Sequence, residues 1–97
     1  MTYLSHVYGG KKENEIDAYE KWKKLVLSDD TETFINPIEA FGKLYNLIDY
    51  DTGILMRLEL LATCDRVIVT SKEISEGVRR EIEEAKRLEI PVEFLCN

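Results

Sequence analysis

The chain contains no apolar run approaching the roughly 20 residues that a membrane-crossing helix needs, so no span and no membrane partner are expected. Its first ten residues, MTYLSHVYGG, have neither a basic lead nor a long greasy segment. No signal peptide is expected, and the cytoplasm is the expected location. Histidine occurs once, as His6, and cysteine twice, as Cys64 and Cys96, far apart and without CxxC spacing. A metal site is therefore not expected, nor is dependence on a disulfide; both thiols are expected reduced and packed. The residues imply no cofactor. Basic residues are fewer than acidic ones, 13 against 19, for a net charge of −6. That balance argues against a nucleic acid polymer as partner, because the phosphate backbone selects a basic surface. One small nucleotide, which needs only a few local donors, stays open.

Ninety-seven residues make a single domain with one modest core. TYLSHV, residues 2–7, mixes β-branched and aromatic residues and runs into YGG, a strand and a turn. ENEIDAYEKWKKLVL then places Ile16, Tyr19, Trp22, Leu25 and Val26 at helical spacing. A short second strand is expected near 32–36, stopped by Pro37. Residues 38–50 read as a helical turn followed by a loop. In DTGILMRLELLATC, Asp51 or Thr52 can cap a helix whose stripe is Ile54, Leu55, Leu58, Leu61 and Ala62. DRVIVTS has the continuous apolar character of a strand buried on both faces. A helix over ISEGVRREIEEAKRLE and a last strand in IPVEFLC complete the chain.

The alternation β-α-β-α-β-α-β predicts an α/β domain of three layers, flavodoxin-like or Rossmann-like, with a four-stranded parallel sheet in the order 2-1-3-4. Ligands of open α/β sheets bind beyond the carboxyl ends of the strands, where strand order reverses. Here that point lies between strands 1 and 3, and the segments emerging there are HVYGGKK and TSKEISEG.

The helix after TSKEISEG is unusual. At about 100° per residue, Val78, Ile82, Ala85 and Leu88 form its apolar face, and Glu81 falls between Ala85 and Leu88. Gly77 lies one turn toward the N-terminus on nearly the same face, and helical side chains lean that way. Glu81 is therefore expected, half-buried, to reach over the space that Gly77 leaves free. A glycine inside a helix costs about 0.5–1 kcal/mol against alanine, which suggests that something occupies that room. Ser75 is a natural N-cap beside N–H groups able to receive an anion. Two readings stay open on the residues alone. Ser75, Gly77 and Glu81 form a pocket with an anion seat at one end and a carboxylate at the other; or Ser75 only caps, Gly77 only opens the helix and Glu81 pairs with a neighbouring base.

The stretch CDRVIVTSKEISEGVRREIEEAKRLEIPV resembles the C-terminal half of the nucleoside 2-deoxyribosyltransferase superfamily. YLSHVYGGKKEN is similar to the first strand and glycine-rich loop of its deoxynucleoside 5′-monophosphate N-glycosidases, and INP after strand 2 fits small phage and bacterial relatives of unknown function. The resemblance spans nearly the whole chain and is weakest over 38–56. It implies N-glycosidic bond cleavage or transfer on a deoxynucleoside or its 5′-monophosphate. Glu81 would be the catalytic nucleophile at C1′, in the manner of a retaining glycosidase. Ser75 would meet the phosphate, Gly9 and Gly10 would bring backbone amides to the substrate, and Lys11 and Lys12 would add positive charge. It also implies a homodimer or larger oligomer.

The pattern breaks at one place. Active members carry an acid eight residues ahead of the Asp that opens strand 3, and here that position is Arg57. Arginine donates no proton at neutral pH. Asp51 lies on the same helix face as Ile54 and could substitute; Arg57 could hold a phosphate, or pair with Glu81 and silence it. The family's arginine in the first loop is also replaced, with Tyr8 in its place. His6 could donate to a base or phosphate or be structural, and Tyr8 could stack on a base or pack on its loop. The alternative to an enzyme is thus a catalytically silent module, of the kind a phage could encode, that holds a nucleotide or a nucleotide-derived signal.

Overall fold

The computed structural model describes residues 1–95. Strands β1 (Thr2–Ser5), β2 (Phe34–Ile35), β3 (Arg66–Val69) and β4 (Val92–Phe94) form one parallel sheet in the order β2-β1-β3-β4. Helices α1 (Lys12–Ser28), α2 (Pro37–Phe41), α3 (Tyr50–Leu61) and α4 (Glu76–Arg87) connect them, with a 3-10 turn over Gly42–Leu44. This is the expected three-layer, Rossmann-like order. The reading of Cys96 lies outside the described residues. Among them Cys64 is a buried free thiol, no acidic, histidine and cysteine residues cluster to hold a metal, and no helix is long and apolar enough to cross a membrane.

Strand side chains alternate, and the alternation assigns the two cores. Leu4, Phe34 and Ile68 face α1, where Trp22 and Leu25 pack against them. Tyr3, Val67 and the partly buried Ile35 and Val92 face the other way, onto Leu61, Cys64 and Ala85. Ser5 is two residues from Tyr3, so both point toward α4.

Helix α1 is rotated from the expected stripe. Ala18 is buried and Trp22 and Leu25 are half-buried, while Ile16, Tyr19 and Val26 are exposed. Polar anchors set that rotation: the Trp22 indole N–H donates to Phe34 O at 2.9 Å, and Lys21 Nζ reaches Thr70 O at 2.7 Å. Pro37 stops β2 and also opens α2, because its fixed φ and missing N–H suit the first helical position. Asn36 Oδ1 caps that helix through Ile38 N. The cap of α3 is Asp49, whose Oδ1 accepts from Thr52 N at 2.7 Å, rather than Asp51 or Thr52. Ile54 and Leu61 are buried as expected, but Leu55 and Ala62 face solvent.

Helix α4 ends in a left-handed turn. Ile90 N donates to Ala85 O and Glu89 N to Lys86 O, the paired bonds of a Schellman motif. Its turning residue, Glu89, has φ of 60°, a conformation that favours glycine. Glu89→Gly is accordingly expected to stabilise the protein by about 0.5–1 kcal/mol. Urea denaturation checks this, and an unchanged or lower midpoint refutes it.

Candidate ligand pocket

A cavity of about 450 Å³ opens beyond the carboxyl ends of β1 and β3. That size lies in the roughly 300–1,000 Å³ range of small-molecule sites. His6, Tyr8 and Gly9 line it from the first loop, and Ser75, Gly77 and Val78 from the start of α4. The remaining wall comes from the segment between β2 and α3, including Phe41 and Tyr45, and from α3 itself, including Tyr50 and Arg57.

The first loop and this insert hold each other in place. Gly9 and Gly10 both have positive φ, 60° and 73°. A Cβ on Gly10 would lie 2.7 Å from the Tyr45 ring, so the loop backbone packs directly on that ring. Tyr45 in turn meets Tyr8 edge-on, with centroids 5.3 Å apart, and the Tyr8 hydroxyl donates to Gly42 O at 3.3 Å. The pair Gly9-Gly10 therefore divides its work: Gly9 lines the cavity, and Gly10 seats its aromatic wall. Lys11 is the exposed N-cap residue of α1 and does not reach the lining, and Lys12 pairs with Glu15.

Glu81 is more deeply buried than its place beside the apolar stripe implies. It is 2% exposed and sits at the centre of the α4 face with Val78 and Ala85. Ser5 Oγ donates to Oε1 at 2.6 Å, and the Tyr3 hydroxyl donates to Oε2. Two strand residues on one face thus take both oxygens of one helical acid. Burial pushes the Glu81 carboxyl above its usual range, opposed by the bonds from Ser5 and Tyr3 and by the nearby Arg57 charge. Burial and the Glu81 charge push the Tyr3 hydroxyl well up, so it remains a donor.

Arg57 occupies the room beside Gly77. Its Nη2 lies 3.2 Å from where a Gly77 Cβ would stand, and its Nε is 4.0 Å from Glu81 Oε2. Nε is buried and makes no hydrogen bond among the described residues. Arg57 lines the cavity and Glu81 does not, so the guanidinium separates the acid from the void. The space that Gly77 leaves is filled by this arginine rather than by the leaning glutamate. Ser75 caps α4, its Oγ accepting from Val78 N at 3.3 Å. Asp51 does not replace the missing acid: the helix starts at Tyr50, which turns Asp51 outward, 87% exposed and 4.0 Å from Arg80. The acids that do line the cavity are Asp49, occupied as a cap, and Glu76, which accepts from the Tyr50 hydroxyl at 3.2 Å.

His6 is buried, with Nδ1 2.8 Å from Thr70 Oγ1 and Nε2 3.2 Å from Asp17 without hydrogen-bond alignment. Burial lowers its pKa below the ordinary 6.5, against the pull of Asp17. The unfolded chain therefore takes the proton first, and stability falls as pH drops from 6.5 toward the folded value. Denaturation between pH 5 and 7.5 isolates this contribution as the difference between parent and His6→Gln, and the parent is expected to lose stability relative to the variant as pH drops. Equal slopes in the two proteins exclude it.

The sequence picks out His6, Tyr8, Gly9, Arg57, Ser75 and Gly77 of the lining, and misses Phe41, Tyr45 and Tyr50. Their signal is three aromatics in a ten-residue stretch otherwise hard to assign, FGKLYNLIDY. No curated protein and no solved structure matches the chain. The family model described as Domain of unknown function (DUF7768) matches residues 1–95, and the chain belongs to that family.

Proposed function

We propose that the cavity holds a deoxynucleoside or its 5′-monophosphate without turning it over. The observation that carries this reading is the position of Arg57, a cation on the cavity wall that stands between the void and Glu81. Tyr8, Tyr45 and Phe41 offer faces and edges for a planar base. Arg57 and the opening N–H groups of α4 offer donors for a phosphate at the other end. A nucleophilic carboxylate must instead reach the sugar carbon, and Glu81 has both oxygens engaged by Tyr3 and Ser5 beneath the guanidinium.

Cleavage of the N-glycosidic bond through Glu81 is the second reading. It is favoured by one observation, a buried ionisable acid held in fixed geometry next to a cavity, which is how catalytic groups are commonly tuned. It requires Arg57 to withdraw.

One panel separates the two. The four deoxynucleosides and their 5′-monophosphates are incubated with the protein and with Glu81→Ala, followed by melting temperature and by chromatography for free base. A ligand present at about 100 times its Kd adds about 2.7 kcal/mol to stability, an easily read thermal shift. A shift without base release is the expected result. Base release that disappears in Glu81→Ala replaces it with the enzymatic reading, and neither shift nor release overturns both.

A further inference from the structure

We propose that the Arg57 guanidinium is shared, so that an anionic ligand in the cavity and the Glu81 carboxylate compete for it, and anion binding loads a proton onto Glu81. The inference rests on the nucleotide reading only for the identity of the anion, a phosphate.

Arg57 is the one lysine or arginine in the cavity lining among the described residues, and its side chain is 23% exposed there. One side of the guanidinium borders the cavity over Gly77, and the other approaches Glu81 Oε2 at 4.0 Å. Nε has no hydrogen-bond partner among the described residues, so its contact with Glu81 is an ion contact without a bond that would commit the arginine to the acid. The groups facing Glu81 are Tyr3 and Ser5 from β1 and Arg57 from α3. Across the cavity the other titratable groups are His6, Tyr8, Tyr45, Asp49, Tyr50 and Glu76. Of these, His6, Asp49 and Glu76 already have partners in Thr70, Thr52 and Tyr50. Among the described residues Glu81 therefore has no second cation to turn to.

An anion that takes the cavity side of Arg57 adds negative charge to a site that already holds one carboxylate. Two anions sharing one cation in a poorly hydrated place favour protonation of one of them. A phosphate keeps at least one negative charge throughout, whereas Glu81 is 2% exposed and its burial already opposes its charge, so the carboxylate is the group expected to take the proton. The proton comes from solvent and stays on the carboxyl, where Tyr3 and Ser5 can still donate to the remaining lone pairs. By linkage, each unit that an anion raises the Glu81 titration is a tenfold preference of that anion for the protonated protein. Binding is then tighter in acid than in base, beyond the change due to the phosphate's own ionisation near pH 6.

The test follows Glu81 itself. With carboxyl-13C glutamate, the Glu81 resonance, assigned by its loss in Glu81→Gln, is titrated from pH 4 to 9. Titrations are made in the protein alone, with sodium phosphate, and with each deoxynucleoside 5′-monophosphate. The midpoint is expected to rise by about one unit with a bound anion. In Arg57→Met it is expected to be raised already and to ignore the anion. Arg57→Gln, which also removes the charge, carries the comparison if the methionine variant does not fold; Arg57→Lys, which keeps the charge, should titrate nearer the parent than either. A midpoint unmoved by every anion, phosphate included, overturns the proposal, as does one unmoved by loss of the Arg57 charge. If phosphate moves it and no nucleotide does, the shared arginine stands and the nucleotide reading falls. If nucleotides raise the melting temperature and leave the midpoint unmoved, the nucleotide reading stands and the sharing falls.

Discussion

Glu81→Gln is expected to make the protein more stable at neutral pH, by about 1–2 kcal/mol, or about 4–8 °C in Tm for each kcal/mol in a domain of this size. The acid is 2% exposed, and its folded pKa is raised by burial above the ordinary 4.5. A carboxyl whose folded pKa exceeds its unfolded one is at its most favourable below the unfolded value. Its contribution is lost as pH rises through the folded value. Glutamine keeps an oxygen for the Tyr3 hydroxyl, and the Ser5 hydroxyl can turn to accept from its amide; it carries no charge to desolvate. The variant's advantage should thus be near zero at pH 4 and grow as Glu81 ionises toward pH 8. Urea denaturation across that range measures it. A constant difference, or a less stable variant at pH 8, shows that Tyr3, Ser5 and Arg57 compensate the buried charge in full. A gain in stability on removing a buried charge is the usual mark of a group retained for function rather than for folding.

Much of the architecture was open to sequence reading because its determinants are local and periodic. DRVIVTS can only be satisfied as a strand covered on both sides, and the caps at Ser75 and the apolar positions Val78 and Ala85 define α4. Parallel order then follows from alternation and handedness. The rotation of α1 was not legible: Lys21 and Trp22 fix it through carbonyls on Thr70 and Phe34, distant partners that spacing does not reveal. The start of α3 was missed by two or three residues because the true cap, Asp49, lies close to two other suitable residues, Asp51 and Thr52.

The candidate site divides along the same line. Residues contributed by the two loops at the sheet's crossover were predictable from topology, which is why His6, Tyr8, Gly9, Ser75 and Gly77 meet at one void. The pocket's aromatic side was not, since Phe41 and Tyr45 lie in short helical turns with weak periodicity and Tyr50 opens α3 ahead of its apolar stripe. The tie between Gly10 and Tyr45 becomes visible only in three dimensions. Glu81 was recognisable as an odd acid on an apolar face. Its partners were less so, although the alternation that puts Tyr3 and Ser5 on one side of β1 is itself a sequence property. Read with that alternation, a serine two residues after a buried tyrosine marks a strand with a polar group to satisfy on its inner face.

The second large effect is expected on the other side of the ion contact. Arg57→Met should destabilise the protein at pH 8 by about 2 kcal/mol, and by clearly less at pH 5. Two charges at 4 Å interact by about 4 kcal/mol at an effective dielectric of 20, and the 23% exposure of Arg57 screens part of that. Removing one partner of a fully buried pair typically costs about 3–5 kcal/mol, but Glu81 can escape by taking a proton, which caps the loss and makes it depend on pH. The cleanest form is a double-mutant cycle with Glu81→Gln. In the glutamine background Arg57→Met should cost about 1–2 kcal/mol less than in the parent at pH 8, the difference being the charge coupling. The coupling should fade as pH falls and Glu81 becomes neutral, leaving the packing of the arginine stem over Gly77 as a remainder common to both backgrounds. A coupling that stays constant with pH would mean the two residues communicate through packing alone. A coupling of zero at pH 8 would mean that Arg57 answers only to the cavity, and the acid beneath it would then need a different cation-free explanation for remaining buried.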